Sequence, residues 1–478
     1  MLFNSIEFAI FLPIVFILYW LTAARHPRFQ NSLLLAASYF FYGWWNWRFL
    51  ILIIISSGVD FWIGTLMGNR TDPVQRKRLL LASLTVNLGI LFFFKYCNFF
   101  IISFIDSFLL FGKRLDIRTL NIVLPIGISF YTFKTISYTV DIYRGKLSPT
   151  KDVVAYFTYI AFFPQILAGP IEKARDFLCQ FESKRVFNYN QAVDGMRQIL
   201  GGLLKKVVIA DNCAVYADYI FTHHQNLSGS TLLLGAVYFT FQIYGDFSGY
   251  SDISIGTAGL LGFNVKKNFA FPYFSRDMAE FWRRWHISLT SWFRDYVYIP
   301  LGGSRGNQWL QIRNVFIIFL VSGFWHGANW TFILWGLINA CCFLPLLLTN
   351  TNRANMDTVA AGCLFPSFKE LLQVGMTFFI TCLAWIFFRA ENIGQAVSYV
   401  KGILSPSLFY TIPEEYVEFF LILLAAFVLL EWLQREKEHL FHFDNIKSPS
   451  LRWALYYGAI TILLEFSGKQ QSFIYFQF

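Results

Sequence analysis

Long apolar runs recur along nearly the whole of this chain, and they restrict what it can fold into more than any other feature. A helix needs about 20 residues to cross the hydrocarbon core of a bilayer, and the longer runs reach that length. The runs are continuous and do not alternate with a period of two residues, so they predict helices rather than the strands of a barrel. They lie near residues 7–23, 32–45, 49–67, 79–95, 97–111, 120–140, 152–168, 196–210, 231–262, 312–325, 328–348, 370–388, 417–433 and 451–466.

The shortage of charged side chains points to the same solvent. Only 14% of the residues are charged, against about 25% in an ordinary soluble domain. Several runs are too short to span a bilayer alone, so we predict re-entrant and interfacial helices beside about 10–12 transmembrane helices. The fold class predicted is an all-α polytopic membrane protein. Residues 1–478 form one membrane-embedded domain, with a core over 1–348 and further helices over 349–478.

The basic residues of the short loops predict the orientation in the membrane, because such residues collect on the cytoplasmic side. Arg25 and Arg28 mark one such loop, and the stretch 70–78 holds four more basic residues. The turn between them, 44–48, holds three tryptophans and one arginine, as an outer interface would. The basic stretch 435–452 precedes the last apolar run. Both termini are therefore predicted to be extracytoplasmic.

Three function classes find no support in the sequence. The formal charge of +10 is scattered among loops and forms no basic stripe, so it does not indicate nucleic-acid binding. The seven cysteines show no C-x-x-C or Cys/His metal spacing, which favours small buried side chains over metal ligands. No P-loop or G-x-G-x-x-G occurs, so ATP and dinucleotide chemistry are not first choices.

His326, in GFWHGANW, is the strongest candidate for chemistry. An ionisable ring near hydrocarbon is expensive and usually functional. The apolar stretch 313–348 is too long for one span and short for two, so we predict a helix break at 326–329. Irregular backbone at membrane depth is tolerated only where it is buried in protein or lines a wet cavity. Gly323 and Gly327 form a G-x-x-x-G, which predicts close helix packing.

His286, in WRRWHIS, lies in the stretch 263–311, which is rich in both aromatic and charged residues. Helical spacing places Trp282, His286, Leu289 and Phe293 on one stripe. Two interpretations stay open: an interfacial helix whose histidine stacks on tryptophan, or part of a site.

Other polar residues carry weaker signals. In YGDFSGYSDISIG, Asp246 and Asp252 could orient a base, bind an ion or belong to a structural hydrogen-bond network. His439 and Asp444 match the H-x-x-x-x-D spacing of glycerolipid acyltransferases, although a two-residue match is weak.

Together these segments resemble a known family. The block EFWRRWHISLTSWFRDYVYIPLGGSRG, followed by NVFIIFLVSGFWHGANWTFILWGLINA, is similar to the signature of the membrane-bound O-acyltransferases. FFPQILAGPIE, YGDFSGYSDISIG and the terminal FIYFQF resemble the branch that O-acetylates alginate. The resemblance covers nearly the whole chain in the expected order.

The resemblance implies a ring of helices enclosing a through-membrane tunnel, with His326 as the catalytic histidine and His286 as its companion. The donor substrate would be cytoplasmic acetyl-CoA, with no metal and no tightly bound cofactor. His326 would act as a general base or as an acyl carrier, and Trp325, Asn329 or Trp330 could donate to the oxyanion. The residues predicted to line the tunnel are Trp282, Trp285, Asp246, Tyr250, Ser251, Trp325, Asn329 and Trp330.

The same resemblance implies a multi-pass protein of the bacterial inner membrane that works with partners. These are an extracytoplasmic SGNH-hydrolase-like acetyltransferase and a machinery for polysaccharide synthesis and export. The acceptor stays open among alginate, cellulose, another exopolysaccharide and peptidoglycan. Two alternatives also remain: D-alanyl transfer toward teichoic acid, and a transporter or flippase, for which broken helices are typical.

Overall fold

The computed structural model of the chain describes residues 1–22, 26–109, 111–113, 115–413, 416, 418–443, 446–467 and 471–476. Over these residues the secondary structure is helical and no strand occurs, which confirms the all-α prediction. Each predicted apolar run overlaps a helix, although the run at 120–140 becomes helical only at Ile128. The α-helices are α1 Ile6–Leu21, α2 Pro27–Asn46, α3 Leu50–Gly68, α4 Pro73–Leu91, α5 Cys97–Leu109, α6 Ile128–Tyr143, α7 Val153–Ala161, α8 Phe163–Ile166, α9 Ala174–Phe177, α10 Cys179–Glu182, α11 Tyr189–Leu203, α12 Asp211–Thr222, α13 Gly229–Leu260, α14 Met278–Arg284, α15 Ile287–Phe293, α16 Gln308–His326, α17 Trp330–Leu348, α18 Phe368–Arg389, α19 Ile393–Ile403, α20 Glu418–Gln434 and α21 Pro449–Glu465.

Several helices suit a bilayer by their length and composition. Within the described residues, four helical segments are long and apolar enough to cross it: Pro27–Gly68, Pro73–Leu109, Trp330–Leu348 and Phe368–Arg389. The first two each combine two α-helices joined by a short irregular turn of helix. Large apolar side chains such as Trp62 stand exposed on them, as lipid-facing residues do. The chain is a multi-pass membrane protein, whereas the number of spans and the tunnel remain predictions.

The chain forms two compact units. Unit 1 holds residues 1–193 and 257–266, and unit 2 holds 194–256 together with the residues from 267 onward. In unit 1, the carboxylate of Asp60 on α3 accepts hydrogen bonds from Ser83 Oγ (2.6 Å) and Asn87 Nδ2 (2.7 Å) on α4. This buried acid thus joins two helices. The division into one core and a C-terminal part stays a prediction.

In unit 2, the helix break predicted at 326–329 is confirmed. Helix α16 ends at His326, and α17 begins at Trp330, where the backbone N–H of Thr331 donates to the capping Asn329 Oδ1 (3.0 Å). The two helices pack closely, because a Cβ on Gly323 would collide with the carbonyl oxygen of Phe332. The G-x-x-x-G therefore performs its packing role in a hairpin that places His326 at its tip.

Candidate active site

One cavity in unit 2 brings the two histidines of the sequence analysis to a common wall. Its volume is about 540 Å³. The rings at its inner end are buried, with His286 1% and His326 3% exposed. The other end carries exposed polar side chains, including Arg294, Asn350 and Arg353. The remaining lining residues are Trp282, Trp285, Leu289, Thr290, Phe293, Tyr298, Ser304, Gln311, Val315, Ile318, Phe319, Ser322, Phe343, Leu347 and Asn352.

His326 is surrounded by aromatic rings. Its imidazole lies edge-on to Trp335, with ring centroids 5.2 Å apart and planes at 90°. Phe388 on α18 is 5.4 Å away, and Tyr475 near the C-terminus is 5.7 Å away. Such a shell excludes most water, so electrostatic interactions made by the imidazole are stronger than they would be at a surface.

His286 occupies a strained position between α14 and α15. Its backbone has φ 44° and ψ 54°, the left-handed region that non-glycine residues rarely adopt. The sequence pattern predicted one helix through this residue, and that prediction was wrong because the chain turns here. The stripe survives the break, however, since Trp282, His286, Leu289 and Phe293 all line the cavity.

Asn268 holds this turn and defines the tautomer of His286. The backbone N–H of Ser288 donates to Asn268 Oδ1 (3.2 Å), which identifies that atom as the oxygen. His286 Nδ1 lies 3.1 Å from the same oxygen and therefore donates its hydrogen to it. Nε2 then carries the lone pair, and it has no hydrogen-bond partner among the described residues. Burial lowers the pKa of His286 to about 3, so the ring is neutral near neutral pH.

Trp325 lies in contact distance of both histidines. Its ring centroid is 4.8 Å from that of His326 and 6.2 Å from that of His286. A second aromatic path runs from His286 to Phe247 (4.6 Å), and from Phe247 to Tyr475 (4.6 Å). The histidines thus belong to one packed aromatic cluster. A neutral imidazole beside a cavity that opens at a polar mouth is suited to proton or acyl transfer.

A family model described as the membrane-bound O-acyltransferase family matches residues 45–388, a range that contains both histidines. The chain belongs to this family. It is therefore an acyltransferase, as the sequence analysis predicted. The aromatic cluster and the cavity lie within the part of the chain that carries this family's signature, apart from Tyr475.

The relatives narrow the likeness to one branch of the family. The chain is 40% identical to the probable alginate O-acetylase of Pseudomonas aeruginosa, over 83% of this chain and 73% of that protein. It is 33% identical to the peptidoglycan O-acetyltransferase of Helicobacter pylori, over 100% of this chain and 98% of that protein. The teichoic acid D-alanyltransferase of Bacillus subtilis is 28% identical, over 57% of this chain. The predicted resemblance to the O-acetylating branch is confirmed.

In this acyltransferase, Asp246 is engaged away from the cavity. Its carboxylate lies 2.7 Å from Lys206 Nζ and accepts from the backbone N–H of Ile474 (2.6 Å). Asp252 pairs instead with Lys205 (3.1 Å). These contacts support the structural alternative for both acids. Asp246, Tyr250 and Ser251, predicted to line the tunnel, are buried on helix α13 and are not among the residues that line this cavity.

The candidates at the turn after His326 are also placed outside the cavity wall. Asn329 uses its amide nitrogen to donate to the carbonyl of Glu391 (2.9 Å) and its oxygen to cap α17. Trp330 is 54% exposed. Of the residues predicted to line the tunnel, Trp282 and Trp285 do line the cavity. Trp325 is not among the lining residues, although its ring lies beside both histidines.

Sequence reasoning missed Tyr475 as an individual residue. Its ring contacts His326 although the two are far apart in the chain, and its hydroxyl has no hydrogen-bond partner among the described residues. The only signal was the terminal FIYFQF, which entered as part of the resemblance. The spacing in the sequence paired His439 with Asp444, which lies outside the described residues. Arg25, used to predict the orientation, also lies outside them. In the structure the His439 Nε2 contacts Asp194 at 3.0 Å.

Proposed function

We propose that this chain moves an acetyl group from cytoplasmic acetyl-CoA across the inner membrane for the O-acetylation of an exported polysaccharide. The observation that carries the proposal is a cavity that both His286 and His326 line and that has exposed polar side chains at its other end. The names of the relatives support the reaction, since they describe O-acetylation of alginate and of peptidoglycan. The acceptor is an exported polymer of that kind.

The side on which the cavity opens supports a cytoplasmic donor. Its mouth includes Asn350, Asn352 and Arg353, which follow α17. The same loop is fastened further on by Arg435, whose guanidinium donates to the carbonyls of Val359 (3.0 Å) and Ala360 (2.7 Å). Arg435 opens the basic stretch 435–452 that the sequence predicts to be cytoplasmic. A donor entering there meets Arg294 and Arg353, whose guanidinium groups suit the phosphates of coenzyme A.

In the proposed reaction, the acetyl carbon of the thioester is attacked at the inner end of the cavity. With His326 as general base, its imidazole takes the proton from an acceptor hydroxyl while the new oxygen–carbon bond forms and the carbon–sulfur bond breaks. The proton then passes to the departing coenzyme A thiolate. With His326 as acyl carrier, an imidazole nitrogen first bonds to the acetyl carbon while the carbon–sulfur bond breaks, and the ring proton passes to the departing coenzyme A thiolate. The acceptor hydroxyl oxygen then bonds to the acetyl carbon while the nitrogen–carbon bond breaks, and the hydroxyl proton returns to the imidazole. The neutral His286, oriented by Asn268, positions reactants beside it.

The test is the release of coenzyme A thiol from acetyl-CoA by the purified protein, together with polymer acetylation in cells. His326→Ala should lower the rate by at least about 10²–10⁴-fold, the usual contribution of a general base. His223→Ala is the matched control, because His223 is an exposed histidine of unit 2 that stacks on Tyr219. A His326→Ala protein that inserts normally and keeps near-normal turnover would overturn the assignment. Use of a D-alanyl carrier protein in place of acetyl-CoA would favour the teichoic acid alternative.

The proposal includes a relay to an extracytoplasmic partner, an SGNH-hydrolase-like acetyltransferase within the machinery for polysaccharide synthesis and export. The part of the aromatic and charged stretch 263–311 that runs from Trp282 to Gln311 contributes to the cavity wall, which supports a separate protein as the element that binds the polymer. Deletion of an adjacent gene for such a secreted transferase should abolish polymer acetylation while this chain still consumes acetyl-CoA. Acetylation of the polymer by the purified chain alone would contradict the relay.

A further inference from the structure

A cluster of Asp194, His439 and His442, here called the clip cluster, lies outside the cavity. Asp194 is on α11, and both histidines are in the loop after α20. One oxygen of Asp194, Oδ1, lies 3.0 Å from His439 Nε2 and 3.9 Å from His442 Nδ1. The three donor atoms all lie within 4.8 Å of one another. Two imidazoles thus converge on one carboxylate oxygen.

The spacing of these atoms suits a tetrahedral metal ion. Zinc binds imidazole nitrogen and carboxylate oxygen at about 2.0–2.2 Å, so neighbouring ligand atoms of a tetrahedral site stand about 3.3 Å apart. The two distances from Asp194 Oδ1 lie on either side of that value. The side chain of His439 is 2% exposed, whereas that of Asp194 is 44% exposed. The cluster therefore has a buried side fixed by protein and an open side where water can supply a fourth ligand.

We propose that the clip cluster binds one divalent transition-metal ion of the zinc class. Two histidines and one carboxylate are a ligand set that zinc uses in proteins. Metal-site motifs in a sequence are found from ligands that lie close together in the chain. This site did not show in the sequence because Asp194 is 245 residues from His439. The proposal is independent of the proposed function, since no residue of the clip cluster lines the cavity.

The bound ion fastens the loop after α20 to α11. A second ion pair already connects these parts of the chain. Lys205, two residues after the end of α11, pairs with Glu431 on α20 at 3.3 Å. The loop also packs closely, because a Cβ on Gly201 would stand 3.3 Å from the ring of Phe441. The metal is thus a structural fastener, and its release loosens the loop without removing a catalytic group.

The experiment uses the full chain without a histidine tag, purified in detergent and stripped with EDTA. Zinc sulfate is added, bound zinc is counted by mass spectrometry after desalting, and the thermal unfolding midpoint is recorded. Wild-type protein should retain one zinc per chain and unfold at a higher temperature with zinc than with EDTA. Magnesium chloride should produce no shift, because magnesium prefers all-oxygen sites.

Variants separate a built site from general zinc binding. His442→Ala and Asp194→Asn should each weaken zinc binding by at least about tenfold, since each removes one of three ligands. In EDTA both should unfold close to the wild-type temperature. His223→Ala, the exposed histidine used above, should bind zinc like the wild type. No zinc on the desalted wild-type protein, or equal zinc on the wild type and both ligand variants, would overturn the proposal. His439→Gln is a further arm, and the two partly exposed ligands decide the result if that buried variant fails to accumulate.

Discussion

The neutral state of His286 predicts how acid should destabilise this protein. Its ordinary pKa of 6.5 is lowered to about 3 by burial in the folded state. Below about pH 6.5 the unfolded chain therefore binds a proton at this position that the folded chain does not. The associated stability is complete above about pH 6.5 and is lost progressively as the pH falls toward about 3.

The size of the effect follows from the two pKa values. Each pKa unit corresponds to about 1.4 kcal/mol. Between about pH 7 and about pH 5, one group with these values lowers the free energy of unfolding by about 2 kcal/mol. His286→Gln removes the titrating ring and keeps an N–H donor for Asn268 Oδ1. The loss of stability over this pH range should therefore be about 2 kcal/mol smaller in His286→Gln than in the wild type.

The measurement is denaturant unfolding in detergent at a series of pH values for both proteins. Other groups titrate in both chains, so the informative quantity is the difference between the two curves. His223→Gln, an exposed histidine replaced in the same way, should follow the wild type. Parallel curves for the wild type and His286→Gln would refute the reasoning, because they would mean that the folded state protonates His286 as easily as the unfolded chain does.

Three further perturbations test the architecture. Gly323→Leu should force α16 from α17 and cost about 1–3 kcal/mol or more in thermal stability, whereas Gly375→Leu, with nothing within 4 Å of its added Cβ, should be tolerated. Asp246→Ala should cost about 1–3 kcal/mol, because the backbone N–H of Ile474 loses its acceptor while Lys206 keeps Asp211 at 2.7 Å, and it should expose the C-terminal segment to trypsin; Asp246→Asn should do so less. In a chain whose seven native cysteines are replaced by serine, a cysteine introduced at position 77 should react with a membrane-impermeant maleimide only after the cytoplasmic face is opened, and labelling of intact cells would reverse the predicted orientation.

The helices could be predicted because hydrophobic burial in a bilayer acts over single continuous segments. Run length alone predicted the break after His326, and the structure places the turn there. The glycine spacing at Gly323 similarly predicted close packing. Helix α12 and helix α19 were not predicted, since both are shorter and less uniformly apolar than the runs that were counted. The local sequence pattern therefore predicted structure only where the apolar length of one continuous segment determines it.

The site at His286 could not be predicted in the same way. Periodicity placed the correct residues on one stripe but assumed a continuous helix. The left-handed turn at His286 depends on Asn268, which lies 18 residues earlier and accepts three hydrogen bonds from His286 and Ser288. Nothing in the sequence near His286 indicates that support. The tautomer of the ring, and hence the atom that carries its lone pair, depends on the hydrogen bond between His286 Nδ1 and Asn268 Oδ1, which exists only in the folded chain.

The sequence indicated that Asp246 is important, but it did not indicate what its carboxylate contacts. The sequence marked it as an acid in an apolar segment, which could have oriented a base or bound an ion. In the structure its carboxylate receives the backbone N–H of Ile474, and Lys206 donates to the carbonyl of Gln471 (3.2 Å). These two bonds hold the segment on which Tyr475 meets His326. Asp246 therefore influences the site indirectly, because it holds the backbone of the segment that carries Tyr475. A substitution of Asp246 should change the surroundings of His326 although Asp246 itself does not contact the imidazole.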